Sequence, residues 1–197
     1  RVPGSEGKRA FLQIFAGRAG IIRFVSHLGE AVWCPVELQD HPLLDLTIPA
    51  ARTAVLESIR SGVVGQVYAH PPEDTWLPGP EKEERAVRTR AEPGGRSGLS
   101  VEERARVDHH DGHASFLAEV VRACREAERP AEFCLVAPRG SLLPLFPALA
   151  SAVRDHGGKE VTSSRCTTGC PARADTVLVI EGSPEEREDM RRDPQTS

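Results

Sequence analysis

The sequence predicts an α/β domain: a mostly parallel sheet with helices packed on both faces. Three observations predict it. Short apolar runs alternate with stretches of helical spacing along most of the chain, the pattern of strand–helix–strand units. The first apolar run ends in a glycine-containing turn that opens directly into a helical pattern. An acid, Glu37, closes the second run, about 20 residues on, where such folds place a ribose-binding carboxylate.

The elements follow in order. Residues 1–10 read as a flexible leader, and the domain is expected over residues 11–182. Phe11 to Phe15 is the first strand, and Ala16-Gly17-Arg18-Ala19-Gly20 is the turn. In the next stretch Ile22, Phe24 or Val25, and Leu28 fall at helical spacing, and Gly29 stops the helix. Ala31 to Glu37 reads as a second strand. Pro49 is suited to the first turn of a helix running through Leu56 and Ile59 to Gly62. Val63 to Ala69 is a buried strand that ends at His70-Pro71-Pro72.

Residues 77–100 are rich in Pro, Gly and charge, without apolar period, and are expected as a partly disordered loop. Ser100 and Glu103 form a capping-box pattern. The helix they open is expected to break near His109–Gly112 and to resume with Phe116, Leu117, Val120, Val121 and Cys124 on one face. Phe133 to Val136 is a strand. Leu142 to Val153 is a helix interrupted early by Pro144 and Pro147, and strands are expected around Glu160–Thr162 and Thr176–Ile180. Residues 183–197 lack apolar anchors and read as a disordered tail.

Composition sets limits. The chain has 197 residues, enough for one α/β domain with a full core. Its net charge of −4 gives no overall attraction to nucleic acid or to an anionic membrane, so any polyanion site must be a local patch. The chain begins at Arg1 rather than Met and reads as a piece of a longer polypeptide or a processed product. No apolar run is long enough to span a bilayer and no signal-peptide pattern is present, so an intracellular protein, cytoplasmic or nuclear, is expected. Five cysteines, an odd count without a framework, point to a reducing compartment.

Ligands of such sheets bind at the carboxyl ends of the strands. Ala16 to Gly20, Glu37, Asp45, His70 to Trp76 and Ala137 to Gly140 are therefore the informative positions. Gly17 and Gly20 permit close approach of a ligand, and the helix N-terminus beyond them offers free N–H groups. Glu37 is placed to accept bonds from ribose hydroxyls, and Asp45, between Leu44 and Leu46, from an amino group of an adenine ring. Ordinary chain reversal, a solvated acid and a turn aspartate are the competing readings. Two further clusters stand out. His109 and His113 would share one helical face, as metal-ligating pairs do, but spacing assigns no third ligand. Cys166 and Cys170 form a lone pair, short of the four ligands of structural zinc. No metal is expected.

Phe11-Leu12-Gln13-Ile14-Phe15-Ala16-Gly17, with Gly20, resembles the opening cofactor motif of the DNA cytosine-5 methyltransferases. Val67 to Pro72 resembles the strand and double proline before that family's catalytic thiol, and Phe133 to Pro138 its Glu-Asn strand end. The resemblance is closest to short forms without a target-recognition domain. It implies a Rossmann-like three-layer fold with a final antiparallel strand, and S-adenosylmethionine held by Phe15, Ala16, Gly17, Gly20, Glu37 and Asp45. It also implies DNA or RNA as partner, with the basic stretch Arg85 to Arg96 over the substrate cleft.

The chain departs from that pattern where the chemistry lies. Glu73 stands at the position of the thiol, and Val136 and Ala137 at those of the glutamate and asparagine. A carboxylate is a far weaker nucleophile than a thiolate towards a ring carbon, so cytosine-5 methylation is expected to be impaired. His70-Pro71-Pro72-Glu73 is also similar to the Pro-Pro turn of amino-methyltransferases. There neutral His70 can accept one hydrogen bond from a target amino group, and Trp76 can stack on an extruded base. His70 and Glu73 are thus the candidate catalytic residues, with Pro71, Pro72 and Trp76 lining the substrate side. A non-catalytic cofactor- or nucleic-acid-binding module, and a metal-dependent enzyme using the histidine cluster, are the alternatives.

Overall fold

A computed structural model describes residues 9–16, 20–33, 36, 45–77, 86–163 and 175–180. The strands are β1 (Ala10–Ile14), β2 (Val64–Ala69), β3 (Glu132–Pro138), β4 (Lys159–Ser163) and β5 (Asp175–Ile180). The helices are α1 (Gly20–His27), α2 (Pro49–Arg60), α3 (Val101–Glu126) and α4 (Pro147–Asp155), with a 3-10 turn at Leu143–Leu145.

The sheet order is β1-β2-β3-β5-β4. β1, β2 and β3 are mutually parallel, and β5 runs antiparallel to both β3 and β4. Four strands therefore point one way and the last one in sequence is reversed. This is a Rossmann-like α/β fold, mostly parallel with a final antiparallel strand. Outside β1, Val32 and Val36 make isolated parallel bridges to Phe11 and Ile14. Of the expected second strand, Ala31 to Trp33 and Val36 are described, and they meet β1 at these two bridges; Cys34, Pro35 and Glu37 lie outside the described residues.

The core lies where the apolar patterns meet. Leu12 and Ile14 of β1, Val64, Val67 and Ala69 of β2, and Phe133 and Leu135 of β3 are buried, as strands covered on both faces require. α2 buries Ala51, Val55, Leu56 and Ile59; Pro49 opens it, with Asp45 accepting from the Thr47 N–H just before. α4 buries Leu149, Ala152 and Val153.

α3 corrects one expectation: it runs unbroken through His109–Gly112. Its buried line, Val107, His110, Ala114, Leu117, Val121 and Cys124, keeps helical spacing because His110 takes an inward position. Gly112 costs the helix about 1 kcal/mol relative to alanine, too little to break so long an element. The capping box forms as expected: the Ser100 hydroxyl accepts from the Glu103 N–H (3.2 Å) and the Glu103 carboxylate from the Ser100 N–H (2.9 Å).

The start of β1 also differs from expectation. Ala10, assigned to the leader, is the first strand residue, and Arg9 is anchored. Arg9 donates to the carbonyls of Val64 (2.9 Å) and Pro130 (2.8 Å), tying the chain ahead of β1 to the starts of β2 and β3. Arg9 passes so close to Gly65 that a side chain there would clash, at 2.7 Å from the Arg9 Cβ. The register shift between Ala10 and Phe11 falls opposite this glycine. Residues 1–8, 78–85, 164–174 and 181–197 lie outside the described residues, and with them most of the expected leader, the first part of the 77–100 loop, the Cys166/Cys170 pair and the tail.

Candidate functional site

Parallel β1, β2 and β3 bring Ile14, Ala69 and Pro138 to one edge of the sheet. The Phe15 turn, the Pro-Pro turn and the loop after β3 leave from that edge. Phe15 has φ of +57°, the left-handed region that a bulky side chain avoids. It is the single non-glycine residue with positive φ among the described residues. Strain of this kind costs about 1–3 kcal/mol and persists only where the surroundings fix it. Gln13, buried within β1, helps fix it: its Oε1 accepts from the Ile22 N–H (3.0 Å) in α1. Its amide also donates to the Ala16 carbonyl (3.4 Å). Gln13 was not among the sequence candidates; a lone amide inside an apolar strand was the available signal.

Gly20 opens α1, and Ala16 is buried, its N–H donating to the Val36 carbonyl (3.3 Å). Gly17 and Glu37 lie outside the described residues. Asp45 accepts from both the N–H (2.8 Å) and the hydroxyl (2.7 Å) of Thr47 through Oδ1. These bonds, the backbone one first, hold its carboxyl below the usual carboxylate range. His109 and His113 add smaller attractions. Phe15 faces the middle of α3, with its ring centroid 5.1 Å from that of His113. Phe15, a candidate cofactor residue, and the histidine cluster, separate in the sequence reading, thus form one wall. Among the described residues no group of three or more His, Cys, Asp or Glu side chains is arranged to hold a metal ion.

The other half of the site is the Pro-Pro turn. The His70 N–H donates to the Ile14 carbonyl (3.4 Å), joining the turn to the end of β1, and the His70 side chain is exposed. Pro71 is buried and Pro72 exposed. The Ser141 hydroxyl donates to Glu73 Oε2 (3.0 Å), and the Leu142 N–H to the Trp76 carbonyl (2.8 Å). The loop after β3 is thus stapled to the turn. Val136 and Ala137 are buried and offer no proton donor.

Trp76 is fully buried, which corrects its expected place on the substrate side. The Arg88 guanidinium lies over its ring at 3.6 Å, and Phe146 meets it edge-on at 5.7 Å. Arg88, expected in a solvated loop, has no exposed side-chain surface. It donates to Thr75 Oγ1 (3.1 Å), Asp111 Oδ1 (2.6 Å), and the carbonyls of Val107 (2.9 Å) and Pro93 (2.6 Å). Residues 86–100 are thereby packed onto α3.

No protein-family profile matches the chain, and no curated protein matches it. Among solved structures, the Dnmt2 methyltransferase of S. pombe is similar over 96% of this chain and 56% of its own, with a TM-score of 0.46 and 10% identity. The chain spans little more than half the length of that protein. The strand order and the reversed last strand, rather than this likeness, carry the assignment of a Rossmann-like α/β fold.

Proposed function

We propose that this chain is an S-adenosylmethionine-binding, methyltransferase-like domain of nucleic-acid methyltransferase ancestry, impaired for cytosine-5 methylation. The observation that carries the reading is the strained Phe15 at the carboxyl end of β1. Close backbone turns at this edge are where such sheets take nucleotides. The residues fit an adenosyl group: Asp45 is held ionised with one oxygen engaged by Thr47, and α1 opens just beyond the Phe15 turn. Ala16, Gly17 and Gly20 would line the approach, and Glu37 would take the ribose. When bound, the cofactor supplies an electrophilic methyl group.

Glu73 in place of a thiol removes the covalent route, because the nucleophile is part of the reaction itself. Val136 and Ala137 offer no acid in place of the missing pair. Transfer to an exocyclic amine of DNA or RNA, with exposed His70 as acceptor, needs positioning alone. A non-catalytic cofactor-binding module is the second reading. The burial of Trp76 beneath Arg88 and the Glu73–Ser141 bond favour it, since both engage groups that a substrate base would need.

Calorimetric titration with S-adenosylhomocysteine tests the shared core of both readings: saturable binding is expected, and its absence overturns them. Incubation with labelled S-adenosylmethionine and mixed DNA and RNA, followed by nucleoside analysis, separates them. No 5-methylcytosine is expected; its appearance, abolished by Gly17→Asp, overturns the impairment. A methylated exocyclic amine favours the enzyme, and no label favours the module.

A further inference from the structure

His113 is 2% exposed, and neither of its ring nitrogens has a hydrogen-bond partner among the described residues. An unpartnered polar group inside a fold is costly. Phenylalanine or leucine would fill the same space without that cost, so what distinguishes histidine here is its nitrogens. The ring is held in place, 5.1 Å from Phe15 and 4.5 Å from His109 by centroid. The titratable and charged groups facing it are His109 and His110 on α3, Arg52 on α2, and Asp45 ahead of α2. Burial first, then the neighbouring cations, pull its pKa down from 6.5 to about 4. At neutral pH the ring is therefore uncharged and carries one donor and one acceptor. Phe15, one of the described residues that the adenosyl reading places against the ligand, packs on this ring, and Asp45 is the charge that acts on it attractively.

We propose that His113 is a nucleoside-contacting residue, offering a ring nitrogen to an amino or hydroxyl group of an adenosyl ligand seated against Phe15 and Asp45. The inference rests on the adenosyl-binding reading. The neutral ring adds no charge to oppose a sulfonium. Glutamine, which also carries one donor and one acceptor group, can stand in for it; phenylalanine cannot.

The test uses the whole chain labelled with 15N and titrated with S-adenosylhomocysteine, following the imidazole nitrogens by long-range proton–nitrogen correlation. Calorimetry runs in parallel on the unaltered protein, His113→Gln and His113→Phe. We expect a His113 nitrogen resonance to move on saturation, and about tenfold weaker binding by His113→Phe, the loss of one hydrogen bond. His113→Gln should stay within about threefold. Binding that leaves both His113 nitrogens unmoved overturns the inference while the adenosyl reading stands. No binding by the unaltered protein overturns the reading, and the inference with it. The nitrogen measurement needs no variant, so it decides even if His113→Phe does not fold.

Discussion

Arg88→Met should destabilise the protein by about 3 kcal/mol. The substitution keeps most of the volume over Trp76 but removes the charge and four hydrogen bonds, to Thr75, Asp111, Val107 and Pro93. Burial opposes the charge on both partners, pulling the Arg88 pKa down and pushing that of Asp111 up, each against the attraction of the other. Burial outweighs the attraction on both partners, so the intact pair is no net electrostatic gain, and the damage comes from breaking it. Leaving one buried partner uncompensated costs about 3–5 kcal/mol. Asp111 keeps 24% of its side-chain surface exposed, so water reaches it and the lower end applies. Against a typical total of about 5–15 kcal/mol this is a large fraction. It corresponds to a Tm lower by about 6–12 °C for a chain of this size. Urea unfolding followed by far-UV circular dichroism measures it. A loss below about 1 kcal/mol would refute the reasoning that residues 86–100 are held by this residue. The double variant with Asp111→Asn should recover part of the loss, because it removes the stranded charge.

Acid should weaken the fold through His113: its pKa falls from 6.5 unfolded to about 4 folded, so the unfolded chain binds the extra proton. Stability from this group is intact above pH 6.5 and falls by about 3 kcal/mol as pH drops to 4; His113→Phe should flatten that slope in urea titrations at stepped pH. Ser100→Ala should cost about 1 kcal/mol by removing the α3 cap, read as a lower urea midpoint at unchanged slope. Cys124, with its thiol pushed up to about 12 by burial, should resist iodoacetamide at pH 8 in the native protein and react only on unfolding, as mass spectrometry of timed samples would show.

The order of elements was legible because it is written in short-range patterns. The alternation of apolar runs, the Pro49 start of α2 and the Ser100/Glu103 box each involve neighbours in sequence. The misreadings have a common cause. His109 to His113 read as a polar interruption because the identity of a residue says little about whether its partner face is buried. Here His110 and His113 occupy inward positions that an apolar pattern leaves blank. Arg88 read as a solvated loop residue because its partners, Thr75, Val107 and Asp111, come from segments that only the fold brings together. At the sheet edge, the end of β1 near Phe15 was legible, whereas the wall that α3 builds against it was not.

That wall joins the two halves of the site. Asp111 and His113 are two residues apart on α3, roughly 200° around the helix, so they serve different neighbours. Asp111 receives Arg88, which covers Trp76 and so backs the Pro-Pro turn; His113 backs Phe15 at the end of β1. A single turn of one helix thereby supports both the Phe15 turn and the Pro-Pro turn. A long, continuous α3 suits that task better than the two broken helices that the sequence pattern suggested. A break at Gly112 would uncouple Asp111 from His113 and leave each turn supported by its own loop alone. The low-propensity residues of this stretch are tolerated because the contacts they make on either side of the helix outweigh about 1 kcal/mol of lost helix propensity at the glycine.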